Sequence, residues 1–392
     1  MRIAFYAPLK SPSHNVPSGD RRVARLLIVA LERAGHTVEL VSTLRTYEPA
    51  GDAARQARLR DEGTELAQDL VAGWRAGSDD ARPDIWFTYH VYYKAPDWLG
   101  PLVAAELAIP YVIAEASYAP KRENGRWAIG HAAAREAIRS AALLLCPTQD
   151  DIGCLQSLVS PHDKIVSFPP FLDPSPYQNA AAARPIHRAR LSAEHDLDPS
   201  VPWIVVAAMM RLGDKLASYR RLATALGRLG DVPWQIVIAG DGHARGEVEA
   251  AFEIAAPGRA RFLGERSAED LAAIYAASDL CVWPAVNEAY GMAMLEAQAA
   301  GVPVVSRAVR GVPDVVCHGL TGLLAAAGDE NALSRLTREL LQDEPRRSEM
   351  GCAAARFVAS TRSIDAAAAR LDRALRGISN GTASRLPSVR QL

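Results

Sequence analysis

The sequence is poor in several features that mark large classes of protein. Its 392 residues include only five cysteines, none of them in a C-x-x-C arrangement, so neither a disulfide framework nor a zinc site is indicated. The formal net charge of −1 lacks the basic excess that is typical of nucleic-acid-binding proteins, and we expect no nucleic-acid partner. No apolar run has the length of a signal peptide or a transmembrane helix, so the sequence predicts a cytoplasmic protein.

What the sequence does contain is a long alternation of short apolar runs and helical patterns. A chain of 392 residues exceeds one hydrophobic core, so two domains are expected. Runs that are apolar on both faces are typical of parallel strands covered by helices. These runs are RIAFYAP (2–8), HTVELVS (36–42), DIWFTY (84–89), YVIAEA (111–116) and LLLCPT (143–148), then WIVVAAMM (203–210), WQIVIAG (234–240), ARFLG (260–264), LCVWPA (280–285) and PVVSRA (303–308). They predict an α/β fold of two Rossmann-like, doubly wound domains facing each other across a cleft.

Changes in composition predict the domain boundaries. Proline and polar residues dominate 173–201, which indicates a hinge or linker between an N-terminal domain (1–172) and a C-terminal domain (202–362). The pattern of 363–378 predicts a C-terminal helix, and the polar tail 379–392 is expected to be disordered.

The segment 287–324 combines glutamates and glycines directly after an apolar run. Its pattern predicts a helix from about Tyr290 that ends at Gly301. The first turn, Gly291, Met292 and Ala293, would present unpaired backbone N–H groups to a phosphate.

Glu288 and Glu296 flank the first turns of this predicted helix. If both lie on the helix, their separation is about 12 Å. A glycosidase carboxylate pair requires about 5–9.5 Å. The spacing therefore favours two separate contacts with one elongated ligand.

In this segment the chain resembles glycosyltransferase family 4, retaining enzymes of the GT-B fold. The matching elements, in order, are Glu288-Ala289-Tyr290-Gly291, Leu295-Glu296-Ala297, Gly301-Val302-Pro303-Val304 and Gly319-Leu320-Thr321-Gly322. The resemblance implies that Glu288 holds the hydroxyls of the donor sugar and Glu296 the ribose. It also places Tyr290 and the amides from Gly291 to Ala293 in the donor site.

Two cations follow the run 203–210. Arg211 and Lys215 at the end of a strand would neutralise a diphosphate leaving group, although they could also be surface cations of a loop. Enzymes of the resembled family carry such a pair five residues apart behind a glycine. Here the pair is four residues apart and Met210 replaces the glycine, so Arg211 is the closer match. The same resemblance places Glu265 and Arg266 near the nucleotide base.

The N-terminal half offers further site candidates. Gly19 precedes a predicted helix and would let backbone amides face a phosphate, or it serves only as a turn residue. Asp20 stands where similar enzymes carry a second glycine. His90 and Glu115 end neighbouring predicted strands, and we expect both in the acceptor site, with His90 also a catalytic candidate. A purely structural histidine is the alternative.

Together these features and the resemblance to family 4 predict a glycosyltransferase acting on hexoses, with Glu288, Arg211, Lys215 and His90 as catalytic residues. The resemblance implies that it is a retaining enzyme. The donor is a nucleotide diphosphate sugar, and the acceptor a carbohydrate, a lipid-linked glycan or a small molecule. Asp196 and Asp198 form a D-x-D pair but lie in the predicted hinge. No metal is expected, because the resemblance to the GT-B enzymes implies that helix dipoles and cations take its place. Basic and tryptophan-containing stretches at 94–103 and 119–139 are compatible with contact at the inner face of a membrane. The alternatives are a nucleotide-sugar epimerase of the same fold and a non-catalytic nucleotide-sugar-binding protein.

Overall fold

The chain forms two compact units, each built on a parallel sheet. The computed structural model describes residues 1–16, 18–160, 162–329 and 331–379. One unit comprises Met1–Pro169 and the segment that begins at Ile364, and the other comprises Pro170–Ser363. Both sheets have six strands, so the predicted α/β class is confirmed. The predicted disordered tail lies outside the described residues, apart from Ser379 at the end of a helix.

The N-terminal unit alternates strands and helices from its first residues. Its strands are β1 (Arg2–Tyr6), β2 (Thr37–Leu40), β3 (Ile85–Val91), β4 (Tyr111–Ala116), β5 (Leu143–Cys146) and β6 (Ile165–Ser167). Its first helices are α1 (Gly19–Arg33), α2 (Ala53–Ala76), α3 (Gly100–Leu107), α4 (Ala128–Ser140) and α5 (Gln149–Gln156).

The N-terminal sheet has the order β2-β1-β3-β4-β5-β6, and its strand pairs are parallel. Its central strands are apolar on both faces because helices cover both; six of the seven residues of β3 are buried. The strand order reverses between β1 and β3, and ligands of open α/β sheets bind beyond the carboxyl ends of strands at such a point. The segments that follow β1 and β3 are therefore where a ligand is expected in this unit.

The C-terminal unit repeats the plan. Its strands are β7 (Trp203–Ala207), β8 (Gln235–Ala239), β9 (Ala260–Gly264), β10 (Leu280–Trp283), β11 (Val304–Arg307) and β12 (Gly322–Ala325). Its helices are α6 (Ser175–Ala182), α7 (Arg184–His195), α8 (Asp214–Gly227), α9 (Arg245–Ala255), α10 (Ala268–Ala277), α11 (Met292–Ala299), α12 (Val312–Val315), α13 (Ala332–Gln342) and α14 (Glu344–Thr361). The sheet order is β12-β11-β10-β7-β8-β9, which is the dinucleotide-fold order and reverses between β7 and β10.

The segment 173–201, predicted as a hinge, differs from that expectation. It contains α6 and α7, which pack against α10 inside the C-terminal unit. Arg188 of α7 donates to Asp279 Oδ2 at 2.9 Å, and its guanidinium lies 4.2 Å from the ring centroid of Trp203. These contacts fix a proline-containing segment as regular structure, because Pro185 takes a first-turn position where the missing N–H costs nothing.

The predicted C-terminal helix is present as α15 (Ile364–Ser379), but it belongs to the N-terminal unit. It packs against α1, and Arg33 donates to Asp365 at 2.9 Å. The chain therefore passes from one unit to the other twice. Among the described residues, no helix has the length and apolar character needed to cross a membrane.

Candidate functional site

The residues predicted for the donor site follow two neighbouring strands of the C-terminal sheet. Arg211 and Lys215 follow β7, while Glu288 and Gly291 follow β10. Since β7 and β10 are paired in parallel at the point where the strand order reverses, their carboxyl ends lie side by side. The fold thus brings these two sequence segments together.

Glu288 forms the centre of this arrangement. Its Oε2 atom accepts a hydrogen bond from Lys215 Nζ at 2.6 Å and another from Trp283 Nε1 at 3.1 Å. The Lys215 ammonium also lies 5.4 Å from the Trp283 ring centroid. Within the part of the chain that the structure describes, no hydrogen bond reaches the Oε1 atom of Glu288. That oxygen can accept a hydrogen bond from a ligand hydroxyl.

The loop that carries Glu288 is tied to the start of α8 and to the loop after β11. Val286 N donates to Ser218 Oγ at 3.0 Å, and Asn287 Nδ2 donates to Asp214 Oδ2 at 2.8 Å. Arg310 donates to Asn287 Oδ1 at 2.7 Å. Strained backbone is concentrated here, because Ala285, Asn287 and Arg310 all have φ values near +50°. Left-handed non-glycine residues cost free energy and cluster at functional sites.

The N-terminus of α11 lies in the same loop. Gly291 precedes the helix with φ of +78°, and no side chain among the described residues caps the helix by a hydrogen bond. Met292 and Ala293 are half-buried. Their amides stand at the positive end of the helix, which is suited to an anion. The backbone conformation, with φ of +78°, favours glycine at position 291, and a Cβ there would also displace the Met294 methyl group.

Glu296 occupies a different environment from Glu288. It is 4% exposed, and the hydroxyl of Tyr275 on α10 lies 3.4 Å from its Oε2 atom. Burial raises the pKa of Tyr275 well above its usual range, and the neighbouring charge of Glu296 raises it further. The structure therefore buries the second glutamate of the motif, while the first is half-buried beside a cation.

The other donor candidates are more exposed. Arg211 and Glu265 are exposed, and the Arg211 side chain makes no ion pair or hydrogen bond within the described ranges. Arg266 is half-buried, and its Nε atom is buried without a hydrogen-bond partner among the described residues. Tyr290, the aromatic residue of the motif, is half-buried in the loop before α11.

Both aspartates of the Asp-x-Asp pair make contacts within the protein. Asp196 pairs with Arg261 at 2.9 Å, and Asp198 accepts hydrogen bonds from the amide and hydroxyl of Ser200. Among the residues that the structure describes, no group of three or more histidine, cysteine, aspartate or glutamate side chains could hold a metal ion.

A second polar cluster lies in the N-terminal unit, after β1 and at the ends of β3 and β4. His90 Nδ1 lies 3.1 Å from Asp20 Oδ1 and 3.4 Å from Glu115 Oε1. The register pairs Tyr89 with Ala114 and Val91 with Ala116, so His90 and Glu115 are side by side. Both have φ of +64°, which is strained for such residues. Gly19 begins α1 next to Asp20, while Ser18 caps the helix.

The two carboxylates control the charge of the imidazole. Burial alone would lower the pKa of His90, but the charge of Glu115 and the hydrogen bond with Asp20 outweigh it and raise the pKa. For Asp20, burial opposes ionisation, yet the hydrogen bond with His90 prevails and lowers the pKa. The cluster thus favours an imidazolium between two carboxylates.

Replacing Asp20 by asparagine should lower the pKa of His90, because one of the two groups that stabilise the imidazolium is removed. A histidine with a raised folded-state pKa stabilises the fold below its unfolded pKa of about 6.5, and this stabilisation is lost as the pH rises through the folded value. Titration of the imidazole by NMR, with the signal assigned through His90→Gln, measures the change. Asp61→Asn removes an exposed acid and serves as the control. An unchanged His90 pKa in Asp20→Asn would contradict the assignment.

Two contributors to these clusters were missed in the sequence. Trp283 is a buried strand residue whose indole N–H reaches Glu288, and only the proximity of the two in sequence could have indicated it. Asp20 stands out in the sequence only as an anion in place of a glycine, and its pairing with His90 joins residues 70 positions apart, which leaves no local signal.

Sequence comparisons match part of this chain to known proteins. Residues 205–357 match the family model described as Glycosyl transferases group 1. A D-inositol 3-phosphate glycosyltransferase from Stackebrandtia nassauensis is 32% identical over 203 residues, which cover 49% of this chain and 44% of that relative. A relative of the same name from Corynebacterium aurimucosum is 45% identical over 94 residues, which cover 24% of this chain and 22% of that relative. The chain therefore spans less than half the length of these curated relatives.

Solved structures match nearly the whole chain in fold. The Anabaena protein Alr3699/HepE, solved in complex with UDP, has a TM-score of 0.72 at 16% identity, with 96% of this chain and 100% of that chain covered. Sucrose-phosphate synthase from Thermosynechococcus elongatus has a TM-score of 0.69 at 19% identity, with 97% and 100% covered. At such identities the likeness concerns the fold alone. The chain thus has the GT-B fold, and its residues 205–357 match the Glycosyl transferases group 1 model.

Proposed function

We propose that this protein is a retaining glycosyltransferase that moves a sugar, most simply a hexose, from a nucleoside diphosphate to an acceptor hydroxyl. The observation that carries the proposal is the Glu288–Lys215 pair beside the uncapped N-terminus of α11. It lies where the strand order reverses, in a domain that matches the Glycosyl transferases group 1 model. The names of the relatives, which specify glycosyl transfer, support the same reaction class.

The transfer is balanced without a further reactant. The bond between the anomeric carbon and the diphosphate oxygen breaks, and a bond from that carbon to the acceptor oxygen forms. The acceptor proton passes to the leaving diphosphate. In this proposal the acceptor oxygen attacks the anomeric carbon on the face that the diphosphate leaves, so the anomeric configuration is retained. The resemblance to family 4 supports this stereochemistry.

Residues of the C-terminal unit are proposed to bind different parts of the donor. Lys215 and Arg211 neutralise the diphosphate as negative charge develops on it. The amides of Met292 and Ala293 supply further donors at the helix terminus. Glu288 accepts hydrogen bonds from the sugar hydroxyls through Oε1, while its Oε2 atom holds Lys215 in place. Because cations and a helix terminus supply the positive charge, the proposed step uses no metal ion.

The nucleoside contacts are proposed for three further residues. Glu296 would bind the ribose, which requires its buried carboxyl to be reached by the ligand. Arg266 and Glu265, which follow β9, would flank the base. The buried Nε atom of Arg266, unpartnered among the described residues, supports a ligand contact at that position.

The N-terminal cluster is proposed to bind the acceptor. Asp20, His90 and Glu115 offer carboxylate oxygens and an imidazole to a hydroxyl-bearing ligand, at the point where that sheet reverses its strand order. The compartment we propose is the cytoplasm, because all five cysteines, which lie within the described ranges, are free thiols.

Calorimetric binding of UDP, GDP, ADP and dTDP, without added metal, tests the donor site. We expect a clear preference for one nucleotide and an affinity about tenfold lower or worse in Glu296→Gln, since a charged hydrogen bond contributes about 1.5–3 kcal/mol. Glu249→Gln, which changes a half-buried acid that pairs with Arg245, is the matched control.

The same titration separates the alternatives. A protein that binds none of the four nucleotides, even with magnesium, would contradict the donor site altogether. Binding of a nucleotide sugar that is converted to a free, altered sugar without an acceptor would instead indicate an epimerase. Binding without any turnover in the presence of acceptors would indicate a non-catalytic nucleotide-sugar-binding protein.

A further inference from the structure

A group of aromatic rings and cations lies next to the N-terminal polar cluster. We name Tyr93, Lys94, Arg122 and Trp127 the cation–aromatic cluster. The rings of Tyr93 and Trp127 meet edge to face at 5.5 Å. Lys94 Nζ lies 4.8 Å from the Trp127 centroid, and the Arg122 guanidinium lies 5.4 Å from it. Both cations are also within 6 Å of the Tyr93 ring, at 5.9 and 5.5 Å.

These two cations lack acidic partners. Neither Lys94 nor Arg122 forms an ion pair with any residue in the described ranges, and the Nε atom of Arg122 is buried without a hydrogen bond. The nearby acids are already engaged. Glu123 pairs with Arg135 at 2.7 Å, and the Glu48 carboxylate accepts hydrogen bonds from the amides of Ala50, Gly51 and Asp52.

Two like charges above the same rings repel each other, and each cation–π contact returns only about 0.5–1 kcal/mol at an exposed site. An anion held by both cations would offset this repulsion. A planar guanidinium and an ammonium together suit a phosphate, because the first gives a forked pair of donors and the second a mobile point charge. The indole of Trp127 is fixed by its hydrogen bond to the Glu48 carbonyl at 2.9 Å, so the rings form a rigid base.

The cluster is continuous with the proposed acceptor residues. The His90 ring lies 5.2 Å from that of Tyr92, and the Tyr92 ring lies 5.5 Å from that of Tyr93. Ring contacts therefore run without a gap from His90 to Trp127. We propose that the cation–aromatic cluster binds a phosphate group of the acceptor, so that the acceptor is a phosphate-bearing polyol, either soluble or the headgroup of a lipid. This inference rests on the proposed function.

The test uses the full chain with its preferred nucleoside diphosphate at saturation, so that the phosphate-binding positions of the C-terminal unit are filled. Glycerol 3-phosphate is titrated against uncharged glycerol while the indole NMR signal of Trp127, assigned through Trp127→Phe, is followed. We expect a shift with glycerol 3-phosphate and none with glycerol. Lys94→Gln and Arg122→Gln should each weaken binding about tenfold or more. Lys94→Arg, which keeps the charge, should restore most of it.

The matched controls are Lys121→Gln and Arg126→Gln, which remove exposed charges of the same segment without touching the rings. Flotation with vesicles of phosphatidylglycerol and phosphatidylcholine in equal amounts forms the second arm. Vesicle binding that Lys94→Gln abolishes, without binding of glycerol 3-phosphate, supports a lipid headgroup, and the reverse supports a soluble acceptor.

Three results would overturn the inference: no binding in either arm, equal binding by the Lys94 and Arg122 variants and the unmodified protein, or equal losses in the control variants. Circular dichroism melting of each variant shows whether a loss of binding reflects unfolding. If a glutamine variant does not fold, the inference is tested by the binding of glycerol 3-phosphate to Lys94→Arg and by the Trp127 indole shift in the unmodified protein. Because the nucleotide is bound in the same samples, its retention would show that the acceptor inference failed while the donor site stood.

Discussion

The replacement Glu288→Gln should reduce kcat for sugar transfer by about 100- to 1000-fold, the size expected when one stabilising contact of a transition state is lost. The amide keeps the volume of the side chain and a hydrogen bond acceptor. It loses the charge that holds Lys215 at 2.6 Å and that strengthens the hydrogen bonds to the sugar. Since Glu288 is proposed to contact the sugar and not the nucleotide, affinity for the nucleoside diphosphate should stay within about threefold.

Steady-state release of nucleoside diphosphate, with acceptor at saturation, gives kcat, and calorimetry gives the nucleotide affinity. Glu249→Gln again serves as control, because its carboxylate lies on α9 and pairs with Arg245. If Glu288→Gln lost nucleotide binding and kcat in parallel with a lower melting temperature, the carboxylate would have a structural role. An unaltered kcat would remove it from the site.

The second large effect is expected from the cations. Arg211→Met and Lys215→Met should each lower affinity for the nucleoside diphosphate by about 10- to 100-fold, because each removes a charge-assisted contact. Affinity for the corresponding nucleoside, which has no phosphate, should not change. The difference between the two ligands, measured by calorimetry at two salt concentrations, isolates the electrostatic part.

Arg221→Met provides the matched control, since it removes an exposed cation from the same helix as Lys215. Equal loss of nucleoside and diphosphate binding would point to a disturbed loop, and full affinity in both variants would exclude the two cations from the phosphate site. The double variant Lys215→Met with Glu288→Gln should show less than the sum of the two single effects on kcat, because the two side chains are in contact.

Much of the fold could be predicted from apolar periodicity, and the reason is burial on both faces. Ten of the twelve described strands coincide with apolar runs that are visible in the sequence, and central ones such as β3 and β7 are almost wholly buried. The two unpredicted strands, β6 and β12, are at the sheet edges and have three and four residues. Short edge strands carry too few residues to establish a period.

The segment 173–201 shows a different limit. Its prolines predict breaks, yet Pro176 and Pro185 stand in the first turns of α6 and α7, where the absent N–H is not needed. The segment is stabilised by a long-range contact, in which Arg184 pairs with one carboxylate oxygen of Asp279 and Arg188 pairs with the other. No local pattern could indicate an acid some 90 residues away.

For the candidate site, the motif predicted which residues are near the strand ends but not how they pair. Arg211 was the closer match by spacing, whereas the structure joins Lys215 to Glu288. The cation–aromatic cluster combines β3-end residues with Arg122 and Trp127, about 30 positions further along the chain. Such assemblies depend on sheet register, which a single sequence does not state.

The return of α15 to the N-terminal unit has a consequence for synthesis. Helix α1 packs against α15, which emerges from the ribosome only after the C-terminal unit. At about 5–20 residues per second, the roughly 190 intervening residues need about 10 to 40 s. During that interval Pro170–Ser363, a continuous stretch, can fold as it appears. The unit that is begun first is therefore completed last, and α1 lacks its helical partner until α15 has been made.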